Sequence, residues 1–415
     1  MSDKKHPYPL FDQAEHLAMP LSTWHQAYLK SLDLEGVFEE YDLCKRFLLA
    51  YRGSEDTFKS YRRDVERLCQ WSWIHKQRLL KTLNRNDFTE YFHFVQSPLK
   101  SWVAIKHSQR YQDHASGQRL PVEHWRPFLL RKSIKNKTAS DTYSPSQASL
   151  RACIACVSTF CTYLMQENYI PANPVLLIRQ KSQFLQKVHQ ERITRKLSNE
   201  QWRILVKTIQ YLAEKDHKYE RHVFVISAFY LLGLRISELS SSEKYHPKMA
   251  DFFRDNAQRW WFKTVGKGNK YREIAMPNAM VDSLKRYRAH LQLSALPTPF
   301  DQSPIIPKHR GHGGIGIRQL RKVVQEAFDA AITQLKKQGS VEEATLMQQA
   351  TAHWLRHTAI SHDVQHRPRE HVRDDAGHGS ATVTDRYIET DLAARHSSAR
   401  DKRLILDLDI TNLED

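Results

Sequence analysis

From about residue 37 the apolar positions fall into a helical rhythm. In FEEYDLCKRFLLAYR and in TFKSYRRDVERLCQWSWIHKQ they recur at spacings of three and four, with Lys and Arg on the remaining face. Residues 84–95 predict a third, shorter helix. Residues 1–35, interrupted by Pro7, Pro9 and Pro20, read as an irregular lead-in. Across 97–145, Pro98, Pro121, Pro127 and several polar clusters break any period, and RKSIKNK (131–137) is a basic run. This segment reads as a long loop or insertion. Ser144-Pro145-Ser146-Gln147 is a helix start, with Ser144 as cap, Pro at the first helical position and Gln three residues after the cap. ASLRACIACVSTFCTYLMQEN follows as a helix, and IPANP (170–174) stops it.

Residues 177–197 are basic and read either as a linker or as a solvated helix. Ser198-Asn199-Glu200-Gln201 is a capping box that opens a new domain. VFVISAFYLLGL (223–234) is almost wholly apolar and predicts a buried helix. WWFKTV and YREIAM flank the Gly/Asn-rich turn at 266–270, which predicts a β-hairpin. Helical patterns resume at 278–293, 317–338 and 343–362. The tail DKRLILDLDITNLED is acidic, five acids against two bases. The organisation expected is therefore a lead-in (1–35), a helical domain (36–180) carrying the 97–145 insertion, a basic linker (181–197), a second domain (198–400) and an acidic tail (401–415). The fold class is mainly α, with a small antiparallel sheet in the second domain.

Composition narrows the partner. The 415 residues carry 63 Lys and Arg against 46 Asp and Glu, a formal charge of +17. Forty per cent of residues are hydrophobic and 10% aromatic, enough to build cores and to exclude wholesale disorder. A basic surplus on a folded chain points to a polyanion, most often nucleic acid. No run approaches the roughly 18 consecutive apolar residues of a membrane span, and no apolar stretch follows the first charges as in a secretory signal. Five cysteines fit a reducing compartment better than a disulfide framework. The expected location is cytoplasmic, nucleoid-associated in a bacterium.

The cysteines and histidines give little chemistry. Cys153, Cys156 and Cys161 lie at core-like spacing in a helix with no fourth ligand nearby, so they read as buried thiols rather than as a zinc site. His353 and His357 are four apart, but Trp354 stands where a zinc protease has its general-base Glu. No metal site and no cofactor is expected. A distributed set is more telling: Gly233-Leu234-Arg235-Ile236-Ser237-Glu238-Leu239, then GKGNK at 266–270, then His353-Trp354-Leu355-Arg356-His357-Thr358, then Gly377-His378-Gly379, and finally Tyr387. Arg235 and Arg356 can each grip a phosphate through a planar fork. His353 and Arg356 share a helical face. His378 adds a hydrogen-bond donor, and Lys267 on the hairpin turn can protonate a leaving oxygen. The Tyr387 hydroxyl, with a free pKa of about 10, can attack phosphorus once its proton is removed, for which His353 is a base or relay. Such a site needs no metal.

Taken together, GLRISEL, the GKGNK hairpin, HWLRHT, GHG and a tyrosine nine residues beyond His378 resemble the tyrosine recombinase (phage integrase) family over about residues 195–400. The LRACIACVSTFCTYLMQENYIPANP helix more weakly resembles the last helix of that family's core-binding domain. The resemblance implies a two-domain clamp on double-stranded DNA and strand cleavage and religation through a 3′-phosphotyrosyl intermediate without a high-energy cofactor. It implies Arg235, Lys267, His353, Arg356, His378 and Tyr387 as the active-site set, with Tyr387 the nucleophile and Glu238 structural. It also implies a homotetramer on two duplexes, and it leaves room for accessory recombination proteins. Lys270 rivals Lys267 on the same turn. Arg235 lies 32 positions from Lys267 and 118 from His353, which implies insertions near 241–258 and 330–350. His362, His366 and His371 read as solvated or DNA-facing. The function expected is a site-specific recombinase or integrase, with a mobile element as its setting. A type IB topoisomerase-like enzyme and a non-catalytic DNA-binding protein are the alternatives.

Overall fold

The computed structural model describes residues 6–114, 118–130, 142–180, 184, 195–266 and 270–377. The chain divides into two compact units, Met1–Gln190 and Glu191–Asp415. The basic run 131–137, most of the linker and the acidic tail lie outside the described residues.

The first unit is built on the helices Val37–Ala50, Glu55–Gln70, Arg85–Gln96 and Gln147–Gln166. Their apolar stripes meet around Phe47, whose ring lies 4.9 to 5.7 Å from those of Tyr51, Tyr61, Phe160 and Tyr163. Helix Glu55–Gln70 runs on into a π-helical turn, Trp71–Lys76, closed by Gln77 at φ 53°. That turn buries Trp71 and Trp73 completely. The Trp73 indole donates to Glu40 Oε2 (2.8 Å), and the Leu80 N–H donates to Glu40 Oε1 (2.5 Å).

Helix Gln147–Gln166 is long and apolar enough to cross a membrane by length and composition. Here its Leu150, Ile154, Val157, Phe160 and Leu164 are buried in the core of the unit. All five cysteines are free and buried.

Three details differ from the sequence expectation. From residue 6 onward the lead-in carries short helices at Ala14–Leu17 and Thr23–Ser31, and it buries Leu10, Phe11, Leu29 and Leu32. Its extended stretch is held from a distance, by Leu10 and Phe11 N–H groups donating to Glu66 (2.6 and 3.3 Å), which leaves no local period to read. The cap of helix Gln147–Gln166 is Ser146, whose hydroxyl accepts from the Ser149 N–H, two residues later than the Ser-Pro pattern suggested. The 97–145 insertion contains strands. Val103–Ala104 pairs in parallel with Phe128–Leu129, and Tyr111–Asp113 pairs antiparallel with Arg119–Pro121.

The second unit packs helices Asn199–Lys215, Glu220–Leu231, Asn278–His290, Ile317–Lys337 and Ala352–His366 around one core. Glu220–Leu231 lies centrally, against Asn278–His290 and Ala352–His366, with Phe224 stacked on Tyr287 at 4.2 Å. The capping box forms as the sequence suggests: Ser198 Oγ accepts from the Gln201 N–H, and Gln201 Oε1 accepts from the Ser198 N–H. Ser198 Oγ also donates to Glu343 (3.0 Å).

The predicted helix at 343–362 is instead two helices, Val341–Met347 and Ala352–His366, broken where Thr351 takes an extended conformation. The hairpin Trp260–Val265 and Tyr271–Ala275 gains a third antiparallel strand, Phe252–Arg254, from the 241–258 segment.

Glu40 accepts on both carboxylate oxygens, so Glu40→Gln turns an amide NH₂ toward an N–H donor. The variant should lose about 1–3 kcal/mol in urea unfolding; an unchanged midpoint would show that these two hydrogen bonds do not hold the π-turn.

Candidate active site

The buried helix Glu220–Leu231 ends in a sharp turn that only a residue at positive φ closes, and Gly233 supplies it at φ +56°. The next residues are Leu234, which is buried, and Arg235, extended at the start of the short helix Ile236–Leu239. Three positions on, Glu238 is fully buried. Its carboxylate accepts from the Arg235 backbone N–H (2.7 Å) and from Arg235 Nη1 (2.9 Å). The arginine is thereby fixed at both its backbone and its head group, while part of its side chain stays open to solvent.

The hairpin reaches this pair. Val265 pairs with Tyr271, and the Gly266 N–H donates to the Lys270 carbonyl (2.8 Å), so the turn projects from Gly266. A Cβ at Gly266 would lie 3.4 Å from Glu238 Oε1 and 3.7 Å from Arg235 Nη1. The turn therefore starts in contact with the arginine–glutamate pair. Lys267, the residue after Gly266, lies outside the described residues; Lys270 is described and exposed.

On the returning strand Arg272 shares the inward face with Ile274. Its Nη2 donates to Glu238 Oε2 (2.5 Å), and its Nη1 donates to the Asp375 carbonyl. Burial pulls its pKa below the usual guanidinium value, against the pull of Glu238.

Helix Ala352–His366 carries the second arginine. Arg356 is 1% exposed; its Nη1 donates to the Gly233 carbonyl and its Nη2 to the Ala376 carbonyl (2.7 Å). Both acceptors belong to turns that carry predicted site residues.

The last carbonyls of helix Arg369–Ala376 are thus taken in succession by three guanidiniums. Asp375 accepts from Arg272, Ala376 from Arg356, and Gly377 from Arg235 Nη2 (3.3 Å). A helix C-terminus leaves unpaired carbonyls at the negative end of its dipole, and cations belong there. Gly377 ends the helix at φ +62°, and a Cβ there would lie 2.9 Å from Arg272 Cδ. His378 follows at once in the chain. It and Tyr387 lie outside the described residues.

His353 stands one turn before Arg356, partly open to solvent, with its ring 4.4 Å from that of His357. Partial burial, followed by the charges of Arg356, Arg195 and Arg235, holds its pKa below the ordinary histidine value. At neutral pH the ring is uncharged, so one nitrogen can accept a proton.

Of the six predicted residues the structure brings together Arg235 and Arg356 through the turns at 233 and 376–377, with His353 beside Arg356 on its helix. His362, expected to be solvated or DNA-facing, instead shares a hydrogen bond with the Tyr230 hydroxyl (2.8 Å). Sequence reasoning missed Arg272 and Asp375. An available signal was period two: an arginine two residues before the buried Ile274 sits on the buried face of a strand.

Comparison with known proteins bears on the family and the fold. Residues 195–393 match the phage integrase family model. The chain is 26% identical to tyrosine recombinase XerC of Thermodesulfovibrio yellowstonii over 275 residues, 64% of this chain and 77% of that one. It is 23% identical to XerC of Rickettsia canadensis over 78% of this chain and 90% of that one. Among solved structures, the XerH site-specific recombinase bound to a palindromic difH substrate aligns with TM-score 0.53 at 16% identity, covering 96% of this chain and 99% of that one. The Tn1549 transposon integrase in complex with a circular intermediate DNA aligns with TM-score 0.52 at 16% identity, covering 86% and 98%.

The fold is that of the tyrosine recombinases. Residues 195–393 form a domain of the phage integrase family, and the chain is similar to tyrosine recombinases over most of its length.

Two outcomes follow from this geometry. Gly377→Ala should lower the thermal stability more than Gly339→Ala. Both glycines have positive φ, but only Gly377 faces a neighbour that a methyl group would displace, Gly339 having open space around it; equal losses would remove the Arg272 contact from the account. The second outcome concerns His353. Its folded pKa lies below its unfolded value of about 6.5, so the unfolded chain binds more protons between the two and this group costs stability as pH falls through that window. His353→Gln should flatten that part of the stability–pH curve, measured by urea unfolding from pH 7 downwards.

Proposed function

We propose that the protein is a site-specific recombinase that cleaves and rejoins duplex DNA through Tyr387. The Tyr387 oxygen attacks the scissile phosphorus; the O–P bond to tyrosine forms and the P–O5′ bond breaks. The 5′-hydroxyl leaves, and the DNA 3′ end stays on the protein as a phosphotyrosyl ester. A 5′-hydroxyl from a second duplex then attacks that ester, releasing the tyrosine. One phosphodiester replaces another, so no high-energy cofactor enters the balance.

Arg235 and Arg356 grip the non-bridging oxygens, whose charge grows in the transition state. Lys267 protonates the leaving 5′-oxygen, His353 takes up the tyrosine proton and His378 donates a hydrogen bond to the phosphate. Guanidinium and ammonium groups supply the positive charge, which makes the reaction metal-independent.

One observation carries this reading most. Arg235 and Arg356, which lie 121 positions apart in the chain, are both tied to the turn at 376–377 that leads directly into His378. The hairpin that bears Lys267 starts against the same Arg235–Glu238 pair. A family whose relatives include a recombinase bound to its difH site and a transposon integrase bound to circular intermediate DNA supports a defined target and a mobile-element setting. Exchange between two duplexes calls for four protomers, and accessory proteins can set its direction.

The test is covalent capture on nicked duplexes drawn from sequences flanking the protein's own gene. Wild type should leave DNA attached after denaturation, with EDTA making no difference. Arg235→Ala should slow attachment about 10²–10³-fold. Lys267→Ala should slow cleavage at unchanged DNA binding; normal cleavage there, with a slow Lys270→Ala, moves the acid to Lys270. Relaxation of one supercoiled duplex without exchange between two would replace the recombinase by a topoisomerase-like enzyme.

A further inference from the structure

The insertion at 97–145 takes no part in the proposed chemistry, yet it builds something. A cavity of about 730 Å³ lies between helix Glu55–Gln70, the insertion segments 104–110 and 125–130, and the start of helix Gln147–Gln166. Its wall is rich in arginine, and most of these cations have partners. Arg63 forks onto Asp64 through two hydrogen bonds of 2.8 Å. Arg67 donates to the Pro127 carbonyl and lies 4.3 Å over the Phe128 ring. Arg110 pairs with Glu66 and lies 4.7 Å over the Trp125 ring.

Arg62 is different. It is only 8% exposed, and its Nε and Nη1 are shut off from solvent with no hydrogen-bond partner. The ring of Phe58 lies 5.6 Å from its guanidinium carbon. Burial and the like charge of Arg110 pull its pKa down to about 10, against the attraction of Glu66 and Asp12. Glu66 Oε1 is taken by Leu10, Phe11 and Arg110, and Oε2, also buried, makes no bond to Arg62.

A buried cation without a hydrogen-bonded counter-charge is costly, and an anion seated against it removes the cost. The cavity offers a second attraction to an anion. Ser146 and Ser149, the cap and first turn of the twenty-residue helix Gln147–Gln166, line it together with Ser144 just before them, so the positive end of that helix opens into it.

We propose that this cavity is a phosphate-binding site, with the Arg62 fork and the start of helix Gln147–Gln166 as its recognition elements. The phosphate arrives either as a backbone phosphate of bound DNA or as a free phosphate ester, and the volume admits a group larger than a lone phosphate. The site is separate from the proposed catalytic residues and does not depend on their roles.

The experiment uses the full chain, with Arg62→Met and Arg62→Lys beside it. In the first arm, thermal unfolding is followed with pyrophosphate against chloride at equal ionic strength. Wild type should gain about 2–4 °C in Tm once pyrophosphate exceeds its Kd several-fold. Arg62→Met should lose that gain while being at least as stable as wild type without ligand, and Arg62→Lys should keep part of the gain. In the second arm, binding to a duplex of arbitrary sequence is measured against salt. A log–log slope shallower by about 0.9 in Arg62→Met assigns the site to a DNA backbone phosphate. An unchanged slope, with the pyrophosphate gain lost, assigns it to a free phosphate ester. Equal gains in wild type and Arg62→Met overturn the proposal. So does an Arg62→Met that is destabilised without ligand, is restored by Arg62→Lys, and shows neither a pyrophosphate gain in wild type nor a slope change: Arg62 would then be a packing cation. Failure to capture covalent DNA would leave the pyrophosphate arm intact, so the two readings fail separately.

Discussion

The catalytic unit depends on how one short helix ends. Helix Arg369–Ala376 presents its last carbonyls to three guanidiniums, which come from a turn, a strand and a helix far apart in the chain. The three cations are tolerated side by side because each has a matched acceptor, and because the buried Glu238 neutralises two of them. Such an arrangement is poorly tolerant of partial loss. Removing one member leaves a buried charge or a buried carbonyl without a partner, and that costs far more than the contact is worth in isolation. The same interlock fixes the Arg235 and Arg356 head groups beside the turn at 376–377.

Much of the catalytic unit was legible because its signals are local. A capping box announced the helix from Asn199, an unbroken apolar run announced the buried helix at 220–231, and two β-rich runs around a Gly/Asn turn announced the hairpin. The arginines were legible as chemistry. Arg272 was not, because its role depends on two partners, Glu238 and the Asp375 carbonyl, that lie 34 and 103 positions away. Gly377 was read as part of a motif, while its physical reason is a left-handed helix end packed against Arg272. The break at Thr351 went unseen because the apolar pattern runs through it.

The first unit was read less well, for a related reason. Its opening residues contain prolines and no period, yet Glu66 ties Leu10 and Phe11 into the core by hydrogen bonds across 56 and 55 positions. The strands of the insertion are two or three residues long, too short for alternation to register. Lys106, Arg110 and Arg126 of the insertion join Arg63 and Arg67 of helix Glu55–Gln70 in a wall of cations around Arg62, visible only once the pieces are folded together. Part of the +17 charge is therefore concentrated in a concave site rather than spread evenly over the surface.

The proposed mechanism depends on the identity of the nucleophile, and peptide mapping of the trapped protein–DNA complex tests it most directly. After nuclease and protease digestion, mass spectrometry should find a nucleotide remnant on the peptide containing Tyr387, joined through a 3′-phosphate, and none when Tyr387→Phe is treated alike. A remnant on another residue, a 5′ linkage, or an adduct that persists in Tyr387→Phe would contradict the mechanism.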